Sequence, residues 1–99
     1  MDKIDGVVYE GAANHFVGAE SVGGKLYLMQ DRLVFASHKL NVQTHSLEIP
    51  LRDIADISFS KTLGFVPNGM VVTLASGARE KFVVNKRQVW VDKINALRG

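Results

Sequence analysis

The fifteen residues Gly23–Ser37, GGKLYLMQDRLVFAS, constrain what this chain can fold into more than any other stretch. Lys25–Met29 and Arg32–Ala36 are two short runs rich in aliphatic and aromatic side chains, and only Gln30 and Asp31 separate them. Folded about those two residues, the ribbon sets Leu28 opposite Leu33 and Leu26 opposite Phe35. Tyr27 and Val34 then meet on the other side, with Met29 beside Arg32. Side chains alternate across a strand, so the four largest core candidates fall on one face with no adjustment of register. The pattern predicts an antiparallel hairpin. Its turn chemistry is the weaker part, because a two-residue loop asks Gln30 for a positive φ that Asn or Gly adopts more readily.

The rest of the chain supplies enough material to bury that face. Its 99 residues, 46% hydrophobic and 22% charged, fit one globular domain over residues 1–99, with Met1–Gly6 expected to fray. No cysteine is present, which excludes a disulfide framework and a thiolate metal site. The polar start MDKIDGVVYEG lacks a signal peptide's apolar run, and no stretch approaches the ~18 apolar residues of a membrane span. The expectation is a cytoplasmic protein without a transmembrane segment. Net charge is +2 and unevenly placed: residues 1–49 carry four Lys or Arg against six Asp or Glu, and residues 50–99 carry eight against four. The basic residues are neither dense nor interleaved with exposed aromatics, so nucleic acid is not the expected partner.

In chain order, Gly11-Ala12-Ala13 breaks two apolar patches, and a first strand is read around Asn14–Gly18 with Phe16 inward. The loop Ala19–Gly23 leads into the hairpin. Leu47, Ile49 and Leu51 then alternate with Ser46, Glu48 and Pro50, and Pro50 belongs at a strand edge or a bend between sheets because it cannot donate to a ladder. Arg52-Asp53 reads as a turn. Ala55, Ile57 and Phe59 share one face of the next strand. The segment Thr62–Gly69 ends in Asn-Gly, a hairpin-turn dipeptide, and reads either as an ordered loop or as an extension of that strand to Val66. Met70–Leu74 and Glu80–Val84 are the last strands, joined across Ser76-Gly77-Ala78; a three-residue loop would pair Val72 with Phe82. From Asn85 the period becomes helical, with Trp90, Ile94 and Leu97 on one stripe, Asn85 as N-cap and Gln88 at the capping-box position. Seven strands and one amphipathic helix result, and a twisted sheet of that size has to close or cover its open end. The helix carrying Trp90 is the expected plug.

Gly24-Lys25-Leu26-Tyr27-Leu28-Met29 followed by Arg32-Leu33-Val34-Phe35-Ala36-Ser37 resembles the hallmark hairpin of the GRAM domain, a member of the pleckstrin-homology-like superfamily. Ile49-Pro50-Leu51 with Ile54 and Ile57 is similar to that family's second strand pair, and Asn68-Gly69, Phe82-Val83 and Trp90 fall where the pattern expects them. The resemblance spans about Asn14 to Leu97. It implies a mainly β fold, a seven-stranded antiparallel barrel or orthogonal sandwich capped by a C-terminal α-helix. It also implies a non-enzymatic module that binds membrane lipids or proteins. Related pleckstrin-homology domains grip phosphoinositides with Lys and Arg of the first inter-strand loop, whereas Gly18–Gly24 here holds an acid and no base.

The remaining candidates are weighed by chemistry. His15, His38 and His45 are the only imidazoles; His38 and His45 flank one connection, but without HExxH spacing no metal is expected. Ser21, Ser37 and Ser58 lack a nucleophile-elbow context, and no Gly-rich loop precedes a helix, so neither catalysis nor a cofactor is expected. Arg79, Lys81, Lys86 and Arg87 cluster in sequence and are the candidate anion contacts. Apolar residues at positions where water is expected are the candidate contacts for a partner or membrane: Tyr27 and Val34 on the hairpin's outer face, Leu40 and Val42 with Lys39 in the following connection, and Phe65 and Val66 before Asn68-Gly69. Two functions follow. The first is a protein-interaction module, with self-association into a homo-oligomer as one form. The alternative is a peripheral membrane module binding anionic lipid headgroups through these bases and apolar loop tips.

Overall fold

The hairpin forms in the register its sequence requires. In the computed structural model, which describes residues 6–38, 45–62 and 66–98, strands β2 (Glu20–Met29) and β3 (Arg32–Ser37) pair with Leu28 opposite Leu33, Tyr27 opposite Val34 and Leu26 opposite Phe35. Leu26, Leu28, Leu33 and Phe35 are each at most 1% exposed. Gln30 and Asp31 turn without positive φ, since Lys86 is the only non-glycine among the described residues to adopt it. The bend is anchored instead by the Leu51 amide, which donates to the Asp31 carbonyl at 2.9 Å.

Five further strands complete one antiparallel sheet: β1 (Val7–Val17), β4 (Ser46–Pro50), β5 (Ile54–Thr62), β6 (Val66–Leu74) and β7 (Arg79–Val84). Its order is β4-β3-β2-β1-β7-β6-β5. The sheet curls into a half-barrel, and a 3-10 turn, Leu51–Asp53, joins its edge strands β4 and β5. Helix α1 (Arg87–Arg98) buries Trp90 and Ile94 in the core. Arginines at both ends of the helix hold it to β5. Arg87 donates to the Ser60 and Gly69 carbonyls at 2.7 and 3.2 Å, and Arg98 donates to Ile54 and Ala55 at 3.0 and 3.4 Å. Each contact falls at one of the two register shifts of the β5–β6 ladder, where a bulge interrupts regular pairing and leaves carbonyls in need of donors.

Six local expectations are corrected. The first strand is longer and opposite in phase: β1 starts at Val7, His15 points inward and Phe16 outward. The small residues read as a break are strand, and Gly11 lies under the Trp90 indole, 3.5 Å from where a β-carbon would sit. The loop before the hairpin shrinks to the turn Gly18-Ala19, with Val17 opposite Glu20 and Gly18 at φ 63°, the conformation a tight hairpin asks of its first turn residue. Asn68-Gly69 is not a turn but lies within β6, where Gly69 faces Ser60 so closely that a side chain would strike the Ser60 hydroxyl. Phe82 pairs with Met70, leaving Val72 opposite Glu80. The helix starts at Arg87, two residues past Asn85. The Lys86 carbonyl receives the Val89 and Trp90 amides, and the Gln88 side chain bonds Asp92.

Candidate functional site

One rim of the half-barrel gathers the turn Gly18-Ala19, the end of β3 with His45 beside it, and the turn 75–78. Beneath them lies a chain of ionisable groups from three separate elements. His15 of β1 is 3% exposed. Its Nδ1 lies 2.8 Å from Nε2 of His45, and its Nε2 lies 2.8 Å from Oε1 of Glu80 on β7. The two imidazoles are within 3° of parallel with centroids 5.0 Å apart. With nitrogens in contact at that separation they lie edge to edge in one plane. Phe82 and Phe35 wall the His15 ring at centroid distances of 4.9 and 5.5 Å.

Backbone bonds fix the pieces. The Ser37 amide donates to the His45 carbonyl at 2.8 Å, while the His45 amide donates to the Ser37 hydroxyl at 2.7 Å. His45 is therefore clamped to the end of β3. A buried imidazole is costly unless both nitrogens find partners, and here both do. With a carboxylate on one side, the Nε2–H tautomer of His15 is selected and Nδ1 becomes an acceptor for His45. Among the described residues no group of three His, Asp or Glu is disposed to hold a metal ion. His38 is exposed beside Gly23 and does not join the pair.

The basic residues separate into two groups. Arg79 and Lys81 start β7 on the face opposite Glu80, close to the rim. Arg79 is exposed and has no acidic partner among the described residues, and Lys81 holds its ammonium 4.9 Å above the Phe16 ring. Val17, 46% exposed, lies at the same rim. Lys86 and Arg87 lie beyond the far end of the strand, roughly 20 Å away at the usual rise per residue. Arg87 is committed to the Ser60 and Gly69 carbonyls and stacks at 4.1 Å on Phe59, which is 43% exposed. Lys61 and Phe59 join that second group, and the sequence reading did not include them.

Tyr27 is 5% exposed despite its outer-face position, and Val34 opposite it is half-buried. Lys25 approaches the Tyr27 ring at 5.7 Å while bonded to Glu10 at 2.6 Å. That hydrogen bond, reinforced by the Glu10 charge, holds the Lys25 ammonium above its ordinary pKa and keeps it charged across the neutral range. Lys39, Leu40, Val42 and Phe65 lie outside the described residues, as does the Val66 side chain.

A curled seven-stranded antiparallel sheet plugged by a C-terminal helix defines a pleckstrin-homology-like fold. Residues 14–88 match the GRAM domain family, and the chain belongs to it. Solved structures agree on the fold. The C-terminal domain of an unknown protein from Leishmania infantum superposes with TM-score 0.80 at 17% identity, covering 93% of this chain and 83% of that one. The Slm1 PH domain in complex with inositol 4-phosphate superposes with TM-score 0.69 at 11% identity, covering 98% of this chain and 100% of that one. Human RhoA in complex with the DH/PH fragment of PDZRHOGEF gives 0.70 at 12% identity, covering 93% of this chain and 28% of that one. No curated protein matches the sequence. GRAM and PH-like domains are non-catalytic binding modules, and this chain is one. No helix among the described residues is long and apolar enough to cross a membrane.

Proposed function

We propose that the chain is a peripheral membrane module that holds a phosphorylated, anionic lipid headgroup at the rim beside β7. The likeness over 98% of the chain to a PH domain holding inositol 4-phosphate carries this reading. The same PH domain in complex with phosphoserine also superposes, with TM-score 0.63 at 12% identity over 92% of this chain and 91% of that one. Both ligands are phosphate monoesters, with about −1.5 to −2 charge near neutral pH and oxygens that suit a planar guanidinium. Arg79 is such a guanidinium, exposed and without an acidic partner among the described residues, and Lys81 lies two residues along the same face. Val17 supplies an exposed apolar contact beside them. The two-residue turn Gly18-Ala19 holds no base, so the phosphate contacts fall to β7. Lys86 and Lys61 at the far end serve the wider anionic surface, whose pull is screened beyond about 10 Å at 0.1 M salt. The protein-contact reading through Tyr27 has less surface to offer, because that ring is 5% exposed.

Flotation with phosphatidylcholine vesicles containing phosphatidylinositol 4-phosphate at low salt tests the proposal. The chain should float with them and not with phosphatidylcholine alone, and Arg79→Glu combined with Lys81→Glu should abolish flotation. A chain that stays at the bottom at low salt ends the membrane reading.

A further inference from the structure

The Glu80–His15–His45 chain has a proton count that its geometry dictates. It contains two hydrogen bonds, each 2.8 Å long, and each can hold one hydrogen. With Glu80 ionised, Nε2–H of His15 fills the first bond and Nε2–H of His45 fills the second. Nδ1 of His45, on the half-buried outer member of the pair, is then the remaining imidazole acceptor. One more proton enters there and breaks nothing.

The same protons also fit a second arrangement. Both bridging hydrogens slide toward β7, so that Glu80 donates to Nε2 of His15 and Nδ1–H of His15 donates to Nε2 of His45. All three groups are then neutral, and each bond still holds one hydrogen. In either arrangement the chain goes from a net charge of −1 to zero. A second added proton on the two imidazoles would place two hydrogens in the His15–His45 bond and force the pair apart.

Among the described residues, the other charged groups on the neighbouring elements are turned away or paired. On β1 and β2, Glu10 and Lys25 bond each other, and Glu20 is exposed at the rim opposite Val17. On β3 and β4, Arg32 lies against Asp31 and Glu48. On β7, Arg79 and Lys81 occupy the face opposite Glu80, and on β6 the residue facing Glu80 is Val72. His38 is exposed beside Gly23.

We propose that Glu80, His15 and His45 form one proton-binding site, which takes up a single proton as the pH falls and converts Nδ1 of His45 from an acceptor to a donor at the rim, with the fold unchanged. The site makes the rim's charge a function of pH, independently of which anion the rim holds. An anion there meets one more positive charge in the protonated form.

The test is an NMR titration of the imidazole nitrogens in the full chain, from mildly alkaline to mildly acidic pH. His15 and His45 should move together through one transition that totals one proton, with His15 in the Nε2–H tautomer at its alkaline end and the backbone amide spectrum retained throughout. Glu80→Gln keeps an oxygen for His15 but removes the charge, and its shared transition should shift to lower pH. Glu80→Asp keeps the charge with a shorter reach and should fall between the two. The proposal is overturned if His45 titrates while His15 stays still, if the pair takes up two protons with the amide spectrum intact, or if Glu80→Gln superimposes on the unaltered chain. Because no lipid is present, failure here leaves the vesicle result to stand or fall separately.

Discussion

Replacing Arg98 with Met isolates the clamp between α1 and β5. Methionine keeps an unbranched apolar stem of similar length, so packing under the guanidinium is largely conserved. What is lost is the donor to the Ile54 carbonyl at 3.0 Å, a long contact to Ala55 at 3.4 Å and a bond to Asn95 at 3.0 Å. The Asn95 bond is solvent-exposed and the Ala55 contact is at the limit of a hydrogen bond, so both are replaced by water at small cost. The Ile54 bond is charge-assisted and partly buried, at the register shift where the ladder supplies no regular partner. Bonds of that kind contribute about 1.5–3 kcal/mol when fully buried, and partial access to water reduces this one to about 1–1.5 kcal/mol. For a domain of this size that corresponds to a thermal midpoint lower by roughly 5–10 °C. Calorimetry and urea unfolding on the same sample measure it. Arg52→Met is the control, since the Arg52 side chain is 88% exposed and 4.0 Å from its nearest acid, and it should change stability by less than about 0.5 kcal/mol. Equal effects from the two substitutions would refute the clamp.

Two other substitutions address the backbone. Lys86 holds φ 54° without being glycine, so Lys86→Gly should relieve about 1–2 kcal/mol of strain against about 0.4–1 kcal/mol of added freedom in the unfolded chain; urea unfolding should show a net gain of roughly 0.5–1 kcal/mol, and a loss would contradict the assignment. Gly24→Ala would drive a methyl into the Ala36 carbonyl and to 2.8 Å from the Phe35 ring, neither of which can yield within the β2–β3 ladder, so a destabilisation of about 3 kcal/mol is expected by the same assay.

The parts of the fold that could be read from the sequence are those where pattern and burial agree. Leu26, Leu28, Leu33 and Phe35 alternate without interruption, and one register puts all four in the core. Trp90 and Ile94 recur at helical spacing and are buried as that spacing requires. β1 was harder to read because its inward residues are Tyr9, Gly11, Ala13 and His15, small or polar side chains chosen to fit beneath Trp90 and to complete a hydrogen-bonded chain. Asn68-Gly69 misled for a related reason. Glycine was needed there for close approach to Ser60, not for a turn.

The site at the rim was nearly hidden, since His15 is 30 residues from His45 and 65 from Glu80. A signal did exist. His45 is two residues before Leu47 and Glu80 two before Phe82, so the period-two alternation that placed those apolar residues inward also places both polar ones inward. A polar group at an inward position calls for a hydrogen-bond partner, and only the three-dimensional pairing of β1 with β7 identifies it as His15. For the bases, closeness in sequence is a poor guide to closeness in space. Arg79 and Arg87 are close in sequence, but an extended strand carries them to opposite ends of the sheet.

The most direct test of the account is an NMR titration of the full chain with inositol 4-phosphate, following every backbone amide. Shifts concentrated at Val17–Glu20, at 75–81 and at His45, and removed by Arg79→Glu, are the predicted result. Shifts centred on Phe59, Lys61 and Lys86, or on the β2–β3 hairpin with the rim unmoved, would contradict it.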